Sequence, residues 1–243
     1  MSLEPTPGAR MNFLIKRRPT PSREELVAHW FANHMPDVIA GQNAAREAGK
    51  FHAWRYIATL YDADRSGAHP WDGVAQLWFD QPLPKPDKPH GDPPRDSFQE
   101  RAETYVPWGT TEYVVMADDA KLPVTPLTLN DPVPTTRSGF LKVTFLVATR
   151  PGADHDALFS HWLDVHLPNV RGVMEQVGGW RYVIGHSIDP VNEPFAGMAE
   201  LYFDDVEAWK RYASIIQPDG MEEGVDDDKT LVLRSHTEMV GIP

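Results

Sequence analysis

The chain repeats itself, and that restricts its fold more than any other feature. Laying Phe13–Val38 over Phe145–Val170, a shift of 132 residues, matches ten of 26 positions. Phe13, Leu14, Arg18, Pro19, Leu26, His29, Trp30, His34, Pro36 and Val38 recur as Phe145, Leu146, Arg150, Pro151, Leu158, His161, Trp162, His166, Pro168 and Val170. Average composition gives about one or two such matches by chance. The echo continues in order. Trp54-Arg55-Tyr56 returns as Trp180-Arg181-Tyr182, Gly73–Asp80 (GVAQLWFD) as Gly197–Asp204 (GMAELYFD), and Thr111-Glu112 as Thr237-Glu238. One ancestral unit is present twice, so the fold must be assembled from two like parts. The 243 residues divide into halves of ordinary domain size, roughly 110–130 residues each. We read a first domain at 10–120, a linker at 121–137 marked by Pro123, Pro126, Pro132 and Pro134, and a second domain at 138–243.

The patterning within each half is that of a mixed fold. Met11, Phe13 and Ile15, like Leu141, Val143, Phe145 and Val147, alternate with more polar neighbours, the period of a strand. Ser22 with Glu25 three residues on predicts a capping box, and Asp154 a plainer helix start. The helix is expected to run to about Met35, where Pro36 interrupts it. Trp54–Tyr61 and Trp180–Ser187 read as second strands, and Gly73–Phe79 and Gly197–Phe203 as third strands. Asp205–Ala213 reads as a second helix, and Thr111–Ala117 and Leu231–Val240 as fourth strands. Each half then has the order β-α-β-β-α-β, the ferredoxin-like order. The predicted class is α+β: two ferredoxin-like repeats that cover each other's open sheet face as an intramolecular barrel, a pseudo-dimer in one chain. The first half departs in two places. It carries about six extra residues around Gly41–Lys50, and Pro82, Pro84, Pro86, Pro89, Pro93 and Pro94 stand where the second half has its second helix. Proline at that density forbids a helix before Asp96, so a helix could resume only over 96–105. The segment is either an inert surface loop or a lid.

Composition excludes several classes. Lys plus Arg is 23 against 35 Asp plus Glu, a net charge of −12. Such a surface repels phosphates and anionic lipid, so neither nucleic acid nor a membrane is expected as partner. There is no cysteine, which removes disulfides, thiolate metal sites and Cys nucleophiles. No apolar run reaches the length of a membrane span, and Met1–Arg10 lacks a signal-peptide core. The reading is a cytoplasmic protein. No GxGxxG, GxxxxGK, GxSxG or HExxH motif is present, which disfavours nucleotide, serine-hydrolase and zinc-protease chemistry.

The repeated histidines carry the chemistry. On a regular helix His34 and His166 share the apolar face with Trp30 and Trp162, while His29 and His161 lie about 140° away at the rim. That divergence argues against joint metal ligation. His34 and His166 are either hydrogen-bonded core histidines or general acid/bases in a cavity. Tyr56 and Tyr182 fall on one strand face, where a hydroxyl could orient a substrate oxygen. The second half adds His186 beside Tyr182, and His236 two residues from Glu238 on one strand face; the first half has Leu60 and Thr110 there. Proposed catalytic residues are His166, His34, Tyr182 and Tyr56; proposed substrate-binding residues are Trp162, Trp30, His186, His236 and Glu238. The second half is expected to hold the working pocket.

The stretches FLIKRRPTPSREELVAHWFANHMP and FLVATRPGADHDALFSHWLDVHLP resemble the EthD family of the dimeric α+β barrel superfamily: a strand, an Arg-Pro turn, and a helix with Trp and, four residues later, His before a proline. The resemblance spans most of 11–117 and 140–240. It implies a small apolar cavity between helices and sheet, with the family histidine at His34 and His166. It further implies a small-molecule enzyme. The first reading is a cofactor-independent, monooxygenase-like oxidoreductase acting on a small apolar or aromatic compound, without metal or other cofactor. The alternatives are a lyase, cyclase or decarboxylase on a similar substrate, or a haem-binding or accessory protein of a degradation pathway. A homo-oligomer of pseudo-dimers is compatible with this reading.

Overall fold

A computed structural model describes residues 3–63, 70–122 and 138–243. Most of the expected linker, from 123 to 137, lies outside them. Two compact units divide the described chain. The C-terminal unit comprises 3–7, Thr110–Lys121 and Gly139–His236; the N-terminal unit comprises Gly8–Gly109 and Thr237–Pro243, with Leu122 and Ser138. The last strand of each sequence half is therefore counted with the other unit.

The N-terminal unit begins with β1 (Ala9–Ile15), then α1 (Arg23–His29), a π-turn (Trp30–His34) and α2 (Met35–Glu47), followed by β2 (Arg55–Leu60) and β3 (Gly73–Phe79). Its sheet pairs β1 with β3, β3 with β2, and β2 with β9 (Thr237–Ile242), all antiparallel. The strand β4 (Trp108–Met116) starts here but from Thr110 on belongs to the other unit. The C-terminal unit continues with β5 (Leu141–Val147), α3 (His155–His161), a second π-turn (Trp162–His166), α4 (Leu167–Val177), β6 (Arg181–Ser187), β7 (Gly197–Phe203), α5 (Val206–Ile215) and β8 (Leu231–Ser235). Here β8 pairs with β5, β5 with β7, β7 with β6, and β6 with β4, again all antiparallel. Five strands thus make one antiparallel sheet face for α3, α4 and α5.

Local chemistry sets the helix starts. Ser22 Oγ accepts from the Glu25 N–H at 3.1 Å, and the Glu25 carboxylate accepts from the Ser22 N–H at 2.7 Å, a closed capping box. Asp154 and Asp205 cap α3 and α5 through the N–H groups of Ala157 and Ala208. The expected helix stop at Pro36 is corrected: neither Pro36 nor Pro168 ends its helix. Proline offers no N–H, and its ring presses on the carbonyl four residues back. Both helices absorb this by widening just before the ring. The Met35 N–H reaches the Trp30 carbonyl and the Leu167 N–H the Trp162 carbonyl, and each helix then continues. The extra residues around Gly41–Lys50 extend α2 rather than form a separate loop.

Two further expectations are corrected. Residues 96–105 form turns and short bridges, not a helix. The predicted strand Leu231–Val240 breaks at His236, because its two parts pair with different strands: Ser235 with Lys142 on one side of the break, and Thr237 with Leu60 on the other.

Each helix pair packs its Trp onto a strand start. Trp30 and Trp162 are buried, resting against Gly73 and Gly197. A Cβ at Gly73 would lie 2.7 Å from the Trp30 ring and 2.4 Å from the Thr59 carbonyl oxygen; at Gly197 it would lie 2.8 Å from both the Trp162 ring and the Gly185 carbonyl oxygen. Glycine in both repeated GxAxLxFD stretches is thus required by close approach. The opposite face of each sheet is also buried but polar. In the C-terminal unit Lys142 Nζ meets Glu200 Oε1 at 2.7 Å, with both side chains out of solvent. In the N-terminal unit Asn12 accepts from Gln76 at 3.2 Å, and Glu238 from Thr59 at 3.1 Å.

Candidate functional site

Each unit holds a cavity between its helices and its sheet. In the C-terminal unit the cavity measures about 420 Å³ and is walled by Phe145, Trp162, Leu201, Trp209, Tyr212 and Ile216. His166 enters from the end of the π-turn, and Tyr182 from β6. The His166 Nδ1 lies 2.8 Å from Asp219 Oδ2. Asp219 sits in the loop after α5 and is held by further donors: Asn169 Nδ2 at 2.7 Å and the Met221 N–H at 3.2 Å. Burial alone would raise the Asp219 pKa, but the hydrogen bond from Asn169 and the charge and hydrogen bond of His166 outweigh it and hold the pKa below the ordinary carboxylate range. An ionised Asp219 accepts, so His166 donates from Nδ1. That fixes the tautomer and leaves Nε2 as the nitrogen that can take a proton.

The second wall is apolar with one oxygen. The Tyr182 hydroxyl has no hydrogen-bond partner among the described residues, and the Trp162 indole N–H nearby does not reach hydrogen-bond geometry. Burial pushes the Tyr182 pKa up, with the Trp162 indole opposing the rise. A neutral phenol with an unused O–H, facing a cavity that also holds a basic nitrogen, is free to bind a substrate oxygen.

The N-terminal unit repeats the arrangement in a cavity of about 410 Å³. His34 Nδ1 lies 2.6 Å from Asp96 Oδ2, and Asp96 Oδ1 accepts from the Gln99 N–H at 2.8 Å. Burial raises the Asp96 pKa, but the Gln99 N–H and His34 together lower it further. Phe98 packs on the His34 ring with centroids 4.5 Å apart, and Tyr56 lines the floor, its hydroxyl pushed to higher pKa by burial. The proline-rich segment is a wall of this cavity: Leu83, His90, Arg95 and Phe98 all line it.

The helix phase read from the sequence is corrected. Each π-turn adds a residue to one turn, so the paired histidines do not diverge. His161 Nε2 approaches the same carboxylate as His166, 3.6 Å from Asp219 Oδ1. In the other unit His29 Nδ1 is 2.8 Å from Ser97 Oγ, next to the Asp96 that holds His34. The expected burial contrast is absent as well: the His161 side chain is 29% exposed and that of His166 26%.

The other proposed residues scatter. Trp30 and Trp162 line the two cavities. His186 lines neither; it is buried in an aromatic cage, stacked on Phe159 at 4.2 Å and beside Trp162 and Tyr113. Burial pushes its pKa down to about 4. The pairing of His236 with Glu238 on one strand face is corrected by the break at His236 itself. Glu238 is buried on β9, against Thr59, and neither residue lines either cavity. Sequence reasoning missed Asp96 and Asp219, which lie 62 and 53 residues beyond their histidines. A signal was present: in both halves a proline precedes an Asp that is followed two residues later by Phe98 or Met221, and both of these line a cavity.

The fold and site define a mixed α and β protein with antiparallel strand pairing and small pockets, each lined by a carboxylate-held histidine. Residues 150–231 match the model of the EthD domain. The fold is similar to that of an anthrone oxidase-like protein (TM-score 0.56, 10% identity, covering 96% of this chain and 92% of that one). It is also similar to that of TA0507, a candidate chlorite dismutase (TM-score 0.50, 9% identity, covering 94% and 93%). None of the curated proteins matches the chain in sequence.

Proposed function

We propose that the chain is a cofactor-independent oxidoreductase acting on a small apolar or aromatic compound, with His166 as acid/base. The observation that carries this reading is the Asp219–His166 pair, which presents a basic Nε2 to an aromatic-walled cavity whose only buried free hydroxyl, among the described residues, belongs to Tyr182. A phenolic or similarly acidic substrate would give its proton to Nε2 and keep the electron pair. Tyr182 would donate to the resulting oxyanion. Such an electron-rich anion can pass electrons to dioxygen, the co-reactant this reading requires. His34, Asp96 and Tyr56 would form the equivalent set. The likeness in fold to an anthrone oxidase-like protein makes anthrones and quinols the first compounds to try.

The same reading treats the halves as tandem ferredoxin-like repeats that form an intramolecular α+β barrel, with domains at 10–120 and 138–243 joined by the 121–137 linker. A cytoplasmic location and a homo-oligomer of such pseudo-dimers belong to it too. Support comes from the strand–helix–strand–strand order the halves share, although the first half has no counterpart of α5, and from the two equivalent His–Asp pairs.

The test is oxygen uptake by the protein as isolated, across a panel of quinols and anthrones. Replacing His166 by Ala should lower turnover by at least about 100-fold, the usual weight of a general base. Turnover without oxygen uptake reassigns the chemistry to a lyase. Full activity in both His166→Ala and His34→Ala returns both histidines to a structural role.

A further inference from the structure

The two cavities share their His, Asp and Tyr but differ in charge. The C-terminal cavity is lined by Glu222 and Asp227 and by no Lys or Arg. The N-terminal cavity is lined by Arg95, whose guanidinium has no hydrogen bond or ion pair among the described residues. Arg95 stands there for a local reason. Its own N–H donates to Gln99 Oε1 at 2.8 Å, in the turn that also hands Asp96 to His34. The segment before it is fixed by mutual backbone hydrogen bonds between His90 and Tyr105, at 2.8 and 3.1 Å. His90 stacks on Tyr105 with centroids 5.4 Å apart and meets Phe13 edge-on at 5.7 Å. The result is an aromatic slot with a cation at its entrance. The charge reaches into the slot: burial lowers the His90 pKa, and Arg95 lowers it further. Of the two carboxylates lining this cavity, Asp96 is engaged by His34, and Asp37 lies on the exposed first turn of α2.

We propose that the N-terminal cavity binds a small aromatic carboxylate, its ring against Phe13 and Tyr105 and its carboxylate on the Arg95 guanidinium, whereas the C-terminal cavity takes an uncharged ligand. A planar guanidinium matches a carboxylate in a two-pronged hydrogen-bonded pair that a neutral ligand cannot form. The proposal rests on reading the cavities as small-molecule sites, but it concerns binding and does not need His166 to do chemistry.

The experiment is isothermal titration of the full chain with benzoate and with benzyl alcohol as its neutral counterpart. The wild-type protein should bind benzoate more tightly. Arg95→Gln should weaken benzoate about tenfold or more, the weight of one charge-assisted pair, and leave benzyl alcohol within twofold. Arg95→Lys should recover only part, and Glu222→Gln, in the other cavity, should leave benzoate unchanged. No benzoate binding by the wild type, or equal loss of both probes in Arg95→Gln, overturns the proposal. Failure of the His166 turnover test would leave this binding result standing, so the two readings fail separately.

Discussion

His161 and His166, five residues apart on one helix, approach the two oxygens of a single carboxylate, Asp219, at 3.6 and 2.8 Å. A regular α-helix would turn them about 140° from each other. The π-turn at Trp162–His166 removes that divergence, and Pro168 is what makes the π-turn favourable. Replacing Pro168 by Ala restores the missing N–H and lets the turn relax to α. We expect an unchanged or slightly higher melting temperature, together with at least a tenfold loss of turnover as His166 rotates off Asp219. Thermal melting and kinetics on the same sample check both halves of this statement.

Asp219 fixes the His166 tautomer. Asp219→Asn keeps the shape but can present its amide N–H to Nδ1, which moves the ring proton to Nε2 and removes the base. Turnover should fall by about 10²- to 10⁴-fold with little change in KM. The pH sign follows from the depressed Asp219 pKa: the stability contributed by the ionised carboxylate is fully present above the ordinary carboxylate range and is lost as pH falls through the lowered value. The wild-type protein should keep its His166–Asp219 hydrogen bond to lower pH than an ordinary Asp allows, read by the downfield Nδ1 proton in NMR.

His186 acts in the same direction for a different reason: burial disfavours its charged form. Its folded pKa, about 4 through burial, is below the unfolded value of about 6.5. The unfolded chain therefore binds the proton first, and stability falls as pH drops from about 6.5 to about 4, by roughly 3 kcal/mol over the whole window. His186→Phe fits the aromatic cage and should flatten that limb of the stability curve. Denaturant unfolding at pH 7 and pH 4.5 gives the difference directly; an equal acid loss in both proteins removes His186 as its source.

Gly197→Ala and Gly73→Ala should each cost about 1–3 kcal/mol, because the added methyl meets both a Trp ring and a backbone carbonyl. In each case the larger effect should be on the unit that carries the glycine, visible as fluorescence change of its own Trp.

Most of the strands and the helix starts were legible in the sequence because each signal was local. Ser22 with Glu25, the alternation in Phe145 to Val147 and the glycine before each third strand report on neighbours a few residues away. The histidines were legible because duplication printed them twice. Their carboxylate partners were not: Asp96 and Asp219 sit in loops of unlike sequence, one after a run of prolines and one after α5, and only the fold brings them to the ring. The helix phase failed for a related reason, since a wheel drawn at constant pitch has no place for the π-turn that Pro36 and Pro168 each produce. The break at His236 was illegible because it follows from which strand each half pairs with, not from any residue within it.

That break has a consequence for synthesis. β9 (Thr237–Ile242) completes the sheet edge beside β2 in the unit that contains Gly8–Gly109. A ribosome making this chain has released β1, α1, β2 and β3 long before the strand that finishes their sheet exists. The first-made part must wait with the β2 edge unpaired, exposed to the cross-pairing that open strands invite. The order of manufacture and the order of assembly are thus opposed, and cutting the gene between its two repeats would separate each sheet from the strand that closes its edge.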